Sequence, residues 1–88
     1  MTVKTSWQAM DFEKGNRYYR IVLHQDLWDS WIVTRIWGSK GKKAQYCRHE
    51  PHLSFEVALQ RLQELAFYRE RKRHYVRLPH GLNPTEMK

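Results

Sequence analysis

The sequence predicts an α+β fold, with a four- to five-stranded antiparallel sheet and one helix packed on one face. Up to His49, apolar residues alternate with polar ones in short runs separated by turn residues. After Pro51 the apolar spacing becomes helical. The chain has 88 residues, of which 14% are aromatic, so we expect one domain with one core. We assign the domain to residues 1–78 and a flexible tail to residues 79–88.

Four runs of residues predict the strands of a meander. Each is rich in β-branched or aromatic residues or follows a tight-turn signal such as Gly15-Asn16. The runs are residues 7–12, 18–24, 31–37 and 44–49. Because the connections between them are short, consecutive strands should pair antiparallel. A short edge strand is expected at residues 74–78.

The single helix is predicted over residues 53–73. Ser54 is a suitable N-cap, and Glu56 lies in the first turn, where the helix dipole favours a carboxylate. The residues that form one apolar stripe at helical spacing are Phe55, Ala58, Leu59, Leu62, Leu65 and Ala66. We expect the helix to lay this stripe on the sheet.

The excess positive charge lies in two short segments. The net charge of +7 and the pI near 9.9 favour a polyanionic partner. Residues 35–48 contain no acidic residue, and their cations are Arg35, Lys40, Lys42, Lys43 and Arg48. Residues 69–78 contain one acidic residue, Glu70, and their cations are Arg69, Arg71, Lys72, Arg73 and Arg77.

Residues 37–43 combine features that suit binding to a nucleic-acid backbone. An exposed Trp at a strand end can stack on a base or sugar, and two glycines let the backbone approach a phosphate. The candidate binding residues are Trp37, Gly38, Ser39, Lys40, Lys42 and Lys43, with Arg35 and Arg48 as supporting charge. Lysines neutralise phosphates without reading base edges, so we predict little base specificity. The alternative is a buried Trp37 beside an ordinary solvated turn.

A second basic patch is predicted at the end of the helix. Its residues are Arg69, Arg71, Lys72 and Arg73. It would extend a phosphate-binding track if it shared a face with the first segment. Otherwise these residues form a charged helix end that offsets the dipole and keeps the protein soluble.

The sequence offers little for catalysis or for a metal. Cys47, His49 and His52, with His24 on another strand, are too few and too scattered for a four-ligand zinc site. Cys47 and His49 share a strand face, but no third group orients them as a catalytic pair. Cys47 is expected to be a small buried residue of its strand. We therefore predict neither an enzyme nor a cofactor.

The cysteine count and the lengths of the apolar runs predict where the protein resides in the cell. A single cysteine allows no internal disulfide, which is typical of an intracellular protein. No apolar run approaches the roughly 18–20 residues of a membrane span, and the first ten residues lack the apolar stretch of a signal peptide. We expect a cytoplasmic protein without a membrane partner.

Residues 16–75 resemble a WGR domain. The matching residues are Asn16, Tyr18, Tyr19, Ile21, Leu23, Trp31, Val33, Trp37, Gly38, Gly41, Gln45, Ala58, Leu62 and Tyr75. WGR domains occur in poly(ADP-ribose) polymerases, where they contact DNA ends, and as small bacterial proteins. The resemblance implies a helix packed on an antiparallel sheet and a surface near the Trp37-Gly38 turn that binds nucleic acid, with DNA favoured over RNA. Ser39 stands where the family has its signature Arg, and His74 where it usually has Gly.

A second hypothesis is a protein-interaction or accessory module. Trp7, Trp28 and Trp31 cannot be assigned to one core by period alone. Exposed aromatic clusters often mark protein interfaces. Such a module would be a monomer or a weak oligomer, and its binding would tolerate salt better than nucleic-acid binding does.

Overall fold

A computed structural model describes residues 8–79 of the chain. It contains a five-stranded antiparallel sheet with one helix, so the predicted fold class is confirmed. The elements in chain order are β1 (Gln8–Lys14), β2 (Arg17–Gln25), β3 (Trp31–Ser39), β4 (Gln45–His52), α1 (Phe55–Arg71) and β5 (Val76–Arg77). Trp7 and the predicted tail beyond Pro79 lie outside the described residues.

The strand order is β4-β3-β2-β1-β5, so the first four strands form the predicted meander. Gly15 adopts φ +57° in the β1–β2 turn, a left-handed conformation that glycine adopts without strain. β4 is longer than predicted and includes Pro51, which an edge strand tolerates because its outer side needs no ladder hydrogen bond.

Helix α1 is shorter at each end than predicted. Ser54 is the N-cap, and its Oγ accepts a hydrogen bond from the backbone N–H of Val57 at 3.2 Å. At the other end, His74 adopts φ +60°, and the N–H of Tyr75 donates to the carbonyl of Arg69 at 2.9 Å. This left-handed residue turns the chain back toward the sheet, where β5 pairs with β1.

The core lies between α1 and one face of the sheet. Its fully buried side chains are Phe12, Tyr19, Ile21, Leu23, Val33, Ala58, Leu62 and Ala66. On β3, Val33 is buried in the core, and Trp31 and Trp37, which share its strand face, pack against the same core. Trp31 also meets Phe55 edge-to-face, with ring centroids 5.0 Å apart. Among the described residues, no helix is long and apolar enough to cross a membrane.

An ion pair fastens the helix to the edge strand. Arg61 Nε of α1 donates to a carboxylate oxygen of Glu50 on β4 at 2.8 Å. This hydrogen bond lowers the pKa of Glu50 below its ordinary value of 4.5, and partial burial opposes the shift. The same contact raises the pKa of Arg61. The pair therefore holds β4 beneath the middle of α1.

Candidate nucleic-acid interface

A pocket of about 440 Å³ opens at the end of the sheet where α1 finishes. The β1–β2 and β3–β4 turns lie at the same end, because antiparallel pairing places Arg17 opposite Ser39. The residues that line the pocket are Arg17, Tyr18, Trp37, Gly38, Ser39, Lys42, Ala44, Tyr46, Arg69, Arg73 and Tyr75. The fold thus joins three segments that are far apart in the sequence.

Three aromatic rings stand side by side next to the pocket. Tyr19, Trp37 and Tyr46 are paired positions on β2, β3 and β4. The Trp37 ring stacks on Tyr19 with centroids 5.8 Å apart and on Tyr46 with centroids 5.7 Å apart. Because β3 lies between the other two strands, Trp37 occupies the middle of the stack.

The sequence left open whether Trp37 is exposed for binding or buried in the core, and its position in the structure has features of both. The ring packs against the core and also lines the pocket. Its two faces meet tyrosines, so its edge is the part that can reach a ligand. Tyr46 ends the stack on the edge strand and is 61% exposed, so its outer face is open to a base or sugar.

The cations of the pocket come from all three segments. They are Arg17 of β2, Lys42 of the β3–β4 turn, Arg69 in the last turn of α1 and Arg73 just beyond the helix. None of the described lining residues is acidic. Within residues 8–79, none of these four side chains forms an ion pair. Their charges are therefore available to an anion.

Arg69 connects the pocket to the core. Its guanidinium carbon lies 3.7 Å from the ring centroid of Tyr19 and 5.4 Å from that of Tyr75. Stacking uses the flat face of the guanidinium, whereas its N–H donors point outward in the plane. Lys14 adds charge nearby, because its Nζ donates to the Arg73 carbonyl at 2.7 Å. The core tyrosine therefore positions a cation at the pocket wall.

Gly38 is required by close packing near the end of β3, just before the β3–β4 turn. A Cβ there would lie 2.9 Å from the Tyr18 hydroxyl and 3.2 Å from the carbonyl oxygen of Ala44. The Tyr18 hydroxyl donates to Gln45 Oε1 at 2.8 Å and fixes the start of β4. Gly41 takes φ +80° at the tip of the same turn. The Trp-Gly pair thus has a structural role in shaping the pocket entrance.

Half of the predicted binding residues line the pocket and half do not. Those that line it are Trp37, Gly38, Ser39, Lys42, Arg69 and Arg73. Those outside its lining are Arg35, Lys40, Lys43, Arg48, Arg71 and Lys72.

The residues outside the lining have other surroundings. Lys40 Nζ pairs with Glu13 at 2.8 Å. The Nε of Arg35 is buried and has no hydrogen-bond partner among the described residues, and the Arg35 charge helps to lower the pKa of Glu50. The guanidinium of Arg71 lies 5.3 Å from the Phe67 ring centroid. Lys43, Arg48 and Lys72 are exposed.

The sequence reasoning missed Arg17 and Tyr46 as pocket residues. The register of the two hairpins predicts both positions. Arg17 lies two residues before Tyr19 and so shares its face, and Tyr46 is the partner of Trp37 across the β3–β4 turn. Tyr75 enters the sequence prediction only through the resemblance to WGR domains, and the structure places it in the pocket lining.

The prediction that Cys47 is buried is wrong. β4 is an edge strand, and Cys47 lies on the sheet face opposite α1, where its side chain is exposed. Its Sγ lies 3.5 Å from His49 Nε2. His49 Nδ1 and His24 Nε2 each lie 2.9 Å from the Thr34 hydroxyl, which is buried between them. Among residues 8–79, no group of three or more His, Cys, Asp or Glu side chains could hold a metal ion.

The comparison with family models gave no match, and neither the curated proteins nor the solved structures gave one. The resemblance to WGR domains therefore rests on the residues of this sequence.

Proposed function

We propose that this chain is a non-catalytic nucleic-acid-binding module that contacts a DNA backbone or strand end through the pocket. The observation that carries the proposal is the convergence of four unpaired cations from three chain segments, with no acidic residue in the described lining. Unpaired cations crowded at one site repel each other, and an anion that neutralises them removes that cost.

The chemistry of the lining favours a phosphate-bearing ligand with a flat ring or sugar. Arg17, Arg69 and Arg73 can each form two parallel hydrogen bonds to phosphate oxygens. Tyr46 supplies an exposed ring beside them, and Ser39 adds a hydroxyl donor. Phosphate contacts and stacking tolerate any base, so little sequence preference is expected. The similarity to WGR domains favours DNA over RNA.

The test is fluorescence anisotropy with short labelled DNA. Single-stranded, blunt duplex and nicked duplex DNA would each be titrated at two salt concentrations. Micromolar or tighter binding that weakens steeply with salt supports the proposal, because phosphate contacts release counterions. Absence of binding to all three at low salt would contradict it.

Two matched pairs of variants locate the site. Lys42→Gln and Arg73→Gln remove cations that line the pocket, whereas Lys43→Gln and Arg71→Gln remove the same charge from neighbouring positions outside it. Each pocket variant should weaken binding about three- to tenfold and reduce the salt slope by about one. Equal losses in the pocket and control variants would show that net charge, and not this pocket, holds the DNA.

A second candidate function is protein interaction, favoured by one feature. Leu27 and Trp28 lie exposed in the β2–β3 turn, at the end of the sheet opposite the pocket. Adjacent large apolar side chains that are exposed to solvent are typical of a protein–protein interface. Removal of both side chains would leave DNA affinity unchanged if the two functions use separate surfaces.

A further inference from the structure

The β2–β3 turn presents two large apolar side chains to solvent. Leu27 is 90% exposed and Trp28 is 80% exposed. Neither belongs to the hydrophobic core cluster of the described residues. A tryptophan side chain left in water loses the stabilisation that burial would give it, so this position suits contact with another molecule.

The turn holds these side chains in a defined conformation. A carboxylate oxygen of Asp26 accepts hydrogen bonds from the backbone N–H groups of Trp28, at 2.8 Å, and of Ser30, at 2.9 Å. The N–H of Asp26 also donates to the carbonyl of Ser30 at 3.0 Å. A turn fixed in this way loses little conformational entropy when it binds, so more of the contact energy becomes affinity.

The charge around the turn is opposite to that of the pocket. Residues 21–34 contain two acidic residues, Asp26 and Asp29, and neither Lys nor Arg, in a chain with net charge +7. Asp29 adopts φ +65°, which completes the turn directly after Trp28. An aromatic side chain flanked by carboxylates is complementary to an aromatic-lined pocket that contains four cations.

We propose that the β2–β3 turn of one copy docks into the basic pocket of a second copy. The turn and the pocket lie at opposite ends of the same sheet, so one molecule cannot satisfy both by folding on itself. The contact is heterologous, and repetition gives head-to-tail chains. In the docked pair, the Trp28 ring of one copy packs beside Tyr46 of the second copy. The Asp29 carboxylate of the first copy pairs with the cations that line the pocket of the second.

The association is weak and reversible. One turn entering a pocket of about 440 Å³ buries far less surface than the roughly 1,600 Å² of a standard interface. Its charge pairs are screened by salt, so chains form at low ionic strength and high protein concentration. The inference shares its pocket with the proposed function but does not depend on DNA binding. Where both hold, DNA and the second copy compete.

Sedimentation velocity without DNA tests the inference. Wild-type protein from about 10 µM to 1 mM should show a rising average mass at low salt and return to monomer at high salt. Trp28→Ser should remain monomeric throughout. Leu53→Ser removes a 99% exposed apolar side chain outside the turn and should associate like the wild type. A monomeric wild type at 1 mM and low salt, or unchanged association of Trp28→Ser, would overturn the inference.

A mixing experiment tests the head-to-tail geometry. The double variant Lys42→Glu/Arg73→Glu keeps the turn but reverses two pocket charges, so alone it should remain monomeric. Mixed with Trp28→Ser, which keeps the pocket, it should give a 1:1 dimer and no larger species, because one intact contact remains. Absence of that dimer would contradict docking of turn to pocket.

DNA titrations separate this inference from the proposed function. At concentrations where the protein is monomeric, Trp28→Ser should bind DNA with wild-type affinity. Loss of DNA binding would leave the self-association result unaffected, and loss of self-association would leave the DNA result unaffected.

Discussion

At the scale of single residues, Tyr46 and His74 have the clearest consequences. Tyr46 is the one ring of the three-ring stack that is exposed, because it stands on the edge strand with nothing beyond it among the described residues. His74 holds a left-handed φ of +60°, which costs a residue with a Cβ about 1 kcal/mol relative to glycine. Tyr46 therefore affects ligand binding, and His74 affects the stability of the fold.

Tyr46→Ala should weaken DNA binding at least about fivefold, because an open ring face contributes roughly 1 kcal/mol or more per stacked base. Stability should change little, since the ring is mostly exposed. Phe67→Ala, which removes an exposed ring of α1 outside the pocket lining, is the matched control for anisotropy titrations. Equal affinity of the two variants would mean that Tyr46 does not contact the ligand.

His74→Gly should raise the free energy of unfolding by about 0.5–1 kcal/mol. Glycine relieves the strain of the left-handed backbone, and its greater freedom in the unfolded chain offsets part of the gain. Urea unfolding monitored by tryptophan fluorescence measures the change. A destabilised variant would show that the imidazole makes a contact worth more than the strain.

At the scale of elements, α1 is packed on the sheet through its apolar stripe, begins at an N-cap and is joined to β4 by one ion pair. Ser54 satisfies the Val57 N–H at the start of the helix. Glu50 and Arg61 connect the edge strand to the helix, and His52 Nε2 lies 3.3 Å from the same Glu50 oxygen. This packing brings the last turn of α1, with Arg69, and the following Arg73 over the end of the sheet.

Glu50→Gln should make stability less dependent on pH in the acid range. The folded-state pKa of Glu50 is lowered, so its stabilising effect is present above the unfolded pKa and is lost as pH falls through the folded value. Thermal unfolding from pH 6 to pH 3 should therefore show a smaller loss of stability in the variant than in the wild type. If the two curves of stability against pH ran parallel, the pKa of Glu50 would be the same in the folded and unfolded states, and the ion pair would not contribute to the pH dependence.

Ser54→Ala should lower the free energy of unfolding by about 1 kcal/mol, because the Val57 N–H loses its side-chain acceptor. Ser54→Asp restores an acceptor and should recover most of the loss. Urea titration of the three proteins provides the measurement. A variant as stable as the wild type would mean that water satisfies this N–H equally well.

At the scale of the whole molecule, charge is segregated along the sheet. The pocket end carries four cations without ion pairs in the described chain, and the opposite end carries Asp26 and Asp29 beside exposed apolar side chains. A cluster of like charges attracts polyanions. It also destabilises the folded state, because folding keeps the repelling charges close together. The pocket should therefore reduce stability in the absence of a ligand.

Arg73→Gln should raise Tm by about 1–3 °C at low salt, because it removes one of the mutually repelling cations. The difference should shrink as salt screens the remaining charges. Arg20→Gln is the control: Arg20 pairs with Asp11 at 3.5 Å, so its removal should not stabilise the protein. A lower Tm for Arg73→Gln would show that the side chain contributes packing rather than repulsion.

The sequence by itself determined the helix, the meander and the apolar stripe of the helix, but not that Cys47 is exposed on an edge strand. These follow from periods of two and 3.6 residues, which depend on neighbours in the chain, and from turn residues such as Gly15. Only the tertiary structure decided which cations converge. Lys42 and Lys43 are adjacent in sequence, yet only Lys42 lines the pocket. Arg73 lies at the same pocket because α1 runs back along the sheet and ends there, with the Arg73 N–H donating to the Tyr68 carbonyl at 3.2 Å, and no local pattern encodes that path.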